Sequence, residues 1–185
     1  MLQVRTAVPY KIGMTRWIAL ALFAIGCAPD GYTLTPTYGL DPTIADLAVQ
    51  AIDMWETATG GAFAPDVHVG CDGSEDYCIK GVRAPMTQCA ELHADTPLRG
   101  CTIRQRHEIR ISLSMRGDER LSTIEHEIGH SLGLAHAEVG LMSTTRTHEG
   151  RVAACIDADT LEAFADAYAS QIGNADANLH AVCAQ

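Results

Sequence analysis

The chain has 185 residues, of which 47% are hydrophobic and 19% charged. That is the balance of one globular domain with a short additional segment, not of a disordered or collagen-like chain. Lys and Arg total 13 against 23 Asp and Glu, a formal charge of −10. A nucleic-acid binder needs a clustered basic face to displace counterions from phosphates, so nucleic acid is not an expected partner. Internal repeats and low-complexity tracts are absent, which excludes solenoids and propellers. Seven cysteines point to an oxidising compartment, but their odd number leaves one thiol to be explained.

The N-terminus supplies the explanation. Arg5, Lys11 and Arg16 precede a short apolar run from Trp17 to Ile25, followed by small residues. This is the layout of a secretory signal peptide over residues 1–26, and the run is too short to span a bilayer. The segment ends Ala24-Ile25-Gly26-Cys27, which resembles the lipobox of bacterial lipoproteins, although that family usually carries Leu where Ala24 stands. The resemblance implies a lipid on Cys27, an extracytoplasmic protein of the bacterial cell envelope, and membrane contact only through that lipid; ordinary cleavage and secretion is the rival. Removal of residues 1–26 takes away three cations and no acid, leaving 159 residues and a charge of −13. Six cysteines then remain, with 15 ways to form three disulfides. Sequence proximity favours Cys71–Cys78, Cys89–Cys101 and Cys155–Cys183.

Residues 27–40, rich in Pro, Gly, Thr and Tyr, read as a tether, and 41–185 as the domain. Asp41-Pro42 reads as a helix start, with Asp as N-cap and Pro at the first helical position. Ile44, Leu47, Ala48, Ala51 and Trp55 follow at helical spacing until Gly60-Gly61. Short β-prone pieces come next: Val67–Val69, Tyr77–Val82 and Ile109–Met115. In the last, Ile109, Ile111, Leu113 and Met115 alternate with polar residues, as in a half-buried strand. A second helix is expected from near Leu121. A third is expected near Thr160–Ser170, opened by Asp159 with Glu162 as a capping box. The fold class is therefore α+β.

Residues 126–136 carry the chemistry: His-Glu-Ile-Gly-His-Ser-Leu-Gly-Leu-Ala-His. His126 and His130 are four apart, so on a helix they share a face and can hold one ion. Glu127 lies beside the first ligand, placed to reach water at the metal without being a ligand. Gly133 can take the left-handed conformation that ends a helix, which turns His136 back as a third imidazole. Three His ligands with a fourth position open is the pattern of catalytic Zn2+, whereas structural zinc is closed by four protein ligands. Met142 follows six residues later.

This segment resembles the metzincin metallopeptidases, whose signature is H-E-x-x-H-x-x-G-x-x-H followed by a Met-turn. All five fixed positions are present, a coincidence expected in roughly one in 10⁵ chains of this length. The surrounding residues are most similar to matrixins, the matrix metallopeptidases and their bacterial relatives, though Ala137 stands where they usually have Ser or Thr and Ser143-Thr144 follow the Met. The resemblance covers residues 41–170 in layout and 126–142 in specific residues. It implies a twisted mixed sheet, an active-site helix and a C-terminal helix. It further implies a zinc-dependent endopeptidase, a metalloprotease hydrolysing protein or peptide substrates, with Glu127 as general base and Met142 as an apolar floor beneath the imidazoles. The loop from Ser143 to Ala154 is expected to wall the substrate pocket. The alternative is a non-catalytic surface module that holds a peptide in the zinc cleft, a role that has no need of Glu127.

Other residues carry weaker signals. His93, Asp95 and His107 resemble part of the matrixin structural-zinc set, but read more simply as surface histidines. His148 lies in the pocket-wall loop. The carboxylates of Asp72, Glu75 and Asp76 are of the kind Ca2+ takes, but nothing else supports that ion and a solvated turn explains them as well. Trp55 and Phe164 read as core residues; His68 and His180 carry no signal.

Overall fold

The computed structural model describes residues 33–83, 89, 99–143, 154–172 and 179–183. The expected signal peptide, Cys27 with its expected lipid, His93, Asp95, His148 and most of the loop expected to wall a pocket lie outside the described residues. A five-stranded sheet is built from β1 (Thr37–Leu40), β2 (Asp66–Val69), β3 (Tyr77–Val82), β4 (Gly100–Ile103) and β5 (Glu108–Ser112). Its order is β2-β1-β3-β5-β4; the first four strands are parallel and β4 runs antiparallel to β5 at the edge. Three helices, α1 (Ala45–Ala58), α2 (Gly117–Ser131) and α3 (Ala158–Ile172), complete the described α+β fold. A two-residue ladder pairs β6 (Cys155–Ile156) with β7 (Val182–Cys183).

Strand alternation decides the layering. Tyr38, Leu40, Ile79, Ile109 and Ile111 are fully buried in one core with Ala48, Ala51 and Trp55 of α1 and Ile124 and Ile128 of α2. The intervening residues Gly39, Cys78, Lys80, Glu108 and Arg110 point to the other side of the pleat. There Lys80 Nζ lies 2.7 Å and Arg110 Nη2 2.6 Å from the two oxygens of Glu108. Trp55 fixes α1 against α2, since its Nε1 donates to the Glu125 carbonyl at 3.0 Å within the buried interface. Its ring also meets Phe164 of α3 at 6.1 Å between centroids. Both aromatics are core residues, as their helical spacing implies.

The disulfides are Cys71–Cys78, Cys89–Cys101 and Cys155–Cys183, the three local pairs. The last joins directly paired residues of β6 and β7 and so ties the C-terminal end back to the start of α3. Three such bridges belong to an oxidising, extracytoplasmic environment.

Several boundaries differ from expectation. Thr37–Leu40 is strand β1, not tether: its Tyr38 and Leu40 bury their side chains completely, and β1 sits between β2 and β3. Asp41 caps a turn rather than the helix itself. Its carboxylate accepts the Thr43 amide at 2.9 Å and hydroxyl at 2.8 Å, Ile44 N–H closes on the Asp41 carbonyl, and α1 starts only at Ala45. These bonds, with the Thr43 amide foremost, hold the Asp41 carboxyl below its ordinary range. Strand β5 stops at Ser112, three residues short of Met115, and α2 starts at Gly117, earlier than Leu121. At α3 the cap is Asp157, not Asp159: Asp157 Oδ1 accepts Thr160 N–H at 3.0 Å. Asp159 lies inside the first turn, where an acid still complements the helix dipole.

Candidate metal centre

Helix α2 carries His126 and His130 on one face, and its C-terminus delivers the third imidazole. Gly133 has φ +88°, Leu134 N–H bonds the Gly129 carbonyl and Gly133 N–H bonds the His130 carbonyl, each at 3.0 Å. That pair of bonds is a Schellman motif with Gly133 at the left-handed position. The chain reverses there, and His136 comes back over the helix. His126 and His130 ring centroids are 4.5 Å apart, His130 and His136 4.6 Å, and His126 and His136 5.4 Å. One nitrogen from each lies within 4.8 Å of the other two, so the three could hold one metal ion.

The backbone fixes which nitrogen is offered. His126 Nδ1 is 2.7 Å from the Leu141 carbonyl and His130 Nδ1 is 2.8 Å from the Leu134 carbonyl. A carbonyl can only accept, so each Nδ1 carries the proton and each neutral ring keeps its lone pair on Nε2. His130 Nε2 in turn lies 3.0 Å from His136 Nε2. Imidazoles whose far nitrogens are tied in this way are oriented ligands, and their tethers tune ligand basicity. The donor set, three imidazole nitrogens, is of the kind that divalent transition metals take.

Met142 lies beneath this helix and is 1% exposed. A Cβ placed on Gly129 would fall 2.5 Å from Met142 Sδ, so the glycine within His-Glu-Ile-Gly-His leaves the space that the methionine fills. A closed turn holds Met142: its carbonyl accepts Ala137 N–H at 3.0 Å, and Ser143 N–H donates to the Gly140 carbonyl at 3.1 Å. Sequence reading had no signal for Gly129, because the contact joins residues thirteen apart across a loop.

Glu127 is 4% exposed and lies against the edge strand. Thr102 Oγ1 of β4 is 2.9 Å from Glu127 Oε2 and 2.8 Å from the Glu127 carbonyl. A Cβ on Gly100 would fall 2.7 Å from Thr123 Cγ2 and 2.9 Å from Glu127 Oε1, so the glycine leaves the room that these two side chains of α2 occupy. Neither Thr102 nor Gly100 was legible as part of the site, since β4 lacks the length and alternation of a readable strand.

The remaining candidates are not gathered here. His107 is a left-handed residue whose Nδ1 sits 2.7 Å from the Asp76 carbonyl, a turn contact. Asp76 is not gathered with Asp72 and Glu75: its Oδ2 accepts Thr37 N–H at the start of β1, and the group that could hold an ion there is His68, Asp72 and Glu75. Glu75 Oε2 accepts the amides of Asp72 and Gly73, and Asp72 Oδ1 accepts the amide and hydroxyl of Ser74, which makes an acid-braced turn, with His68 near both carboxylates. The hydroxyl and amide of Ser74 hold the Asp72 carboxyl below its ordinary range. His180 is exposed and uses its backbone N–H to bond the Ala58 carbonyl. Comparison of the chain with protein-family models and with curated proteins finds no match.

Proposed function

We propose that this chain is a zinc-dependent endopeptidase of the metzincin kind, matrixin-like in its local sequence, exported across a bacterial membrane and anchored to the envelope by a lipid on Cys27. The observation that carries the reading is the convergence of His126, His130 and His136 with Glu127 directly beside the first of them. When bound, zinc supplies Lewis acidity, polarising a peptide carbonyl and making water acidic near neutral pH. The chain's own residues do the rest. The Leu141 and Leu134 carbonyls hold two imidazoles in register. Glu127 takes the proton of the attacking water on its carboxylate and hands it to the departing amine. Met142 keeps the underside of the site apolar.

The sheet edge supports a peptide substrate. β4 is the outermost strand beside β5, and its backbone runs against the Glu127 carboxylate. An extended peptide added to such an edge gains main-chain hydrogen bonds and places one of its bonds near the base.

The test compares two variants for zinc content and cleavage of a peptide library. His130→Ala removes a ligand and is expected to lose the metal. Glu127→Ala keeps all three imidazoles and is expected to retain about one zinc while hydrolysis falls by about 10²-fold or more. Unchanged cleavage by Glu127→Ala would remove the base from the reading. A wild-type protein that binds zinc and peptides yet cuts none would leave the peptide-binding module.

A further inference from the structure

The Thr102 hydroxyl has two acceptors on Glu127 and a single proton to give. Its oxygen lies 2.9 Å from Oε2 and 2.8 Å from the main-chain carbonyl of the same residue. The hydroxyl therefore serves one of the two at a time, and both acceptors belong to the residue that bears the acid. Across the strand, the Gly100 Cα passes so near that a Cβ would sit 2.9 Å from Oε1 and 3.0 Å from Cγ of Glu127. Both flanks of the glutamate side chain are thus bounded by β4: a hydroxyl at one oxygen, bare backbone at the other. The strand's own position is fixed from behind, by pairing Gly100 with Ile111 and Thr102 with Ile109, both core residues of β5.

We propose that Thr102 is a positioning residue for the Glu127 base, holding its carboxylate in one orientation from the edge strand; this rests on the peptidase reading above. A glutamate has three side-chain torsions, and a free one spreads over several staggered rotamers. Reactive geometry admits few of them, because a base must come within about 2.6–3.2 Å of the proton it takes. Bond and backbone together reduce the choice. The hydroxyl supplies one donor directed at Oε2 from outside the helix that carries the acid. Valine at 102 keeps the shape of threonine and removes the donor, whereas serine keeps the donor and drops a methyl.

The experiment measures kcat and KM on an internally quenched peptide that the wild-type full chain cleaves, together with zinc per chain, for Thr102→Val and Thr102→Ser. Thr102→Val is expected to lower kcat by about 10-fold or more, the range found when partners that orient site residues are removed, with KM and zinc content unchanged. Thr102→Ser is expected to recover most of the rate. Wild-type kcat in Thr102→Val, or a serine variant as slow as the valine one, overturns the proposal. A crystal structure of Thr102→Val provides a readout independent of activity. The Glu127 side chain is expected to occupy more than one rotamer there, and a single wild-type rotamer overturns the proposal. If the wild type cuts no peptide, the peptidase reading fails by itself and the rotamer comparison still decides whether Thr102 orients the acid.

Discussion

The Asp157 carboxylate accepts the backbone N–H of Leu141, and the Leu141 carbonyl accepts Nδ1–H of His126. The cap of the C-terminal helix is thereby coupled, through the single residue Leu141, to a histidine of the candidate metal centre. Asp157 serves both ends: Oδ1 caps Thr160 of α3 and Oδ2 holds Leu141. Gly140 makes the approach feasible, for its φ is +77° and a Cβ there would lie 2.5 Å from Asp157 Oδ1.

Asp157→Ala is expected to weaken two properties at once. Loss of the helix cap costs about 1 kcal/mol of stability. Loss of the Leu141 tether loosens the acceptor behind His126, so zinc affinity is expected to fall by about 10-fold or more. Urea unfolding and competition with a chelator measure the two separately. A variant with reduced stability and unaltered zinc affinity would show that the cap and the ligand act independently.

The second prediction concerns Gly129. In an exposed helix interior, alanine stabilises by about 1 kcal/mol relative to glycine. Here the added methyl would meet Met142 Sδ at 2.5 Å, with Trp55 Cζ2 also within contact at 3.5 Å. Overpacking of this kind typically costs about 1–3 kcal/mol, so Gly129→Ala is expected to be net destabilising despite its propensity. Combining it with Met142→Ala opens the space the methyl needs, and the double variant is expected to be markedly less unstable than the two losses added together. Strict additivity would show that the two residues do not meet.

These contacts explain what the sequence did and did not reveal. His126, Glu127, His130, Gly133 and His136 were legible because helical spacing and a left-handed glycine are local properties, read within eleven residues. The disulfides followed for the same reason, as each pair is near in sequence. Thr102, Gly100, Gly129 and Asp157 were hidden, because their roles arise only when strand, helix and loop are packed together. Strand β1 was hidden by composition: Thr37–Leu40 sits in a stretch rich in Pro, Gly and Thr, and only pairing on both sides makes four residues a strand. Asp157 lost the cap assignment to Asp159 because the two aspartates flank the first residue of α3, Asp157 before it and Asp159 in the first turn, and the side-chain geometry alone distinguishes them.

The last prediction concerns pH and the outward-facing side of the sheet. Burial pushes the Glu108 carboxyl up, but the Lys80 ammonium and Arg110 guanidinium outweigh it and hold the group below its ordinary range. A carboxyl depressed in the folded state is ionised there at pH values where the unfolded chain has already taken up a proton. Its stabilisation is therefore fully present above the unfolded value, about 4.3 for Glu, and is lost as pH falls through the lower, folded value. Glu108→Gln keeps the size and abolishes the charge, leaving Lys80 and Arg110 without their shared partner. Lys80 is 38% exposed, so solvent screening limits the pair and the total loss at neutral pH is expected to be on the order of 1 kcal/mol. Unfolding followed by urea at a series of pH values should give wild type and Glu108→Gln curves that run parallel from neutral pH down to about 5 and converge below about 4. A gap that persists unchanged into strong acid would mean that Glu108 stabilises the sheet through packing rather than charge.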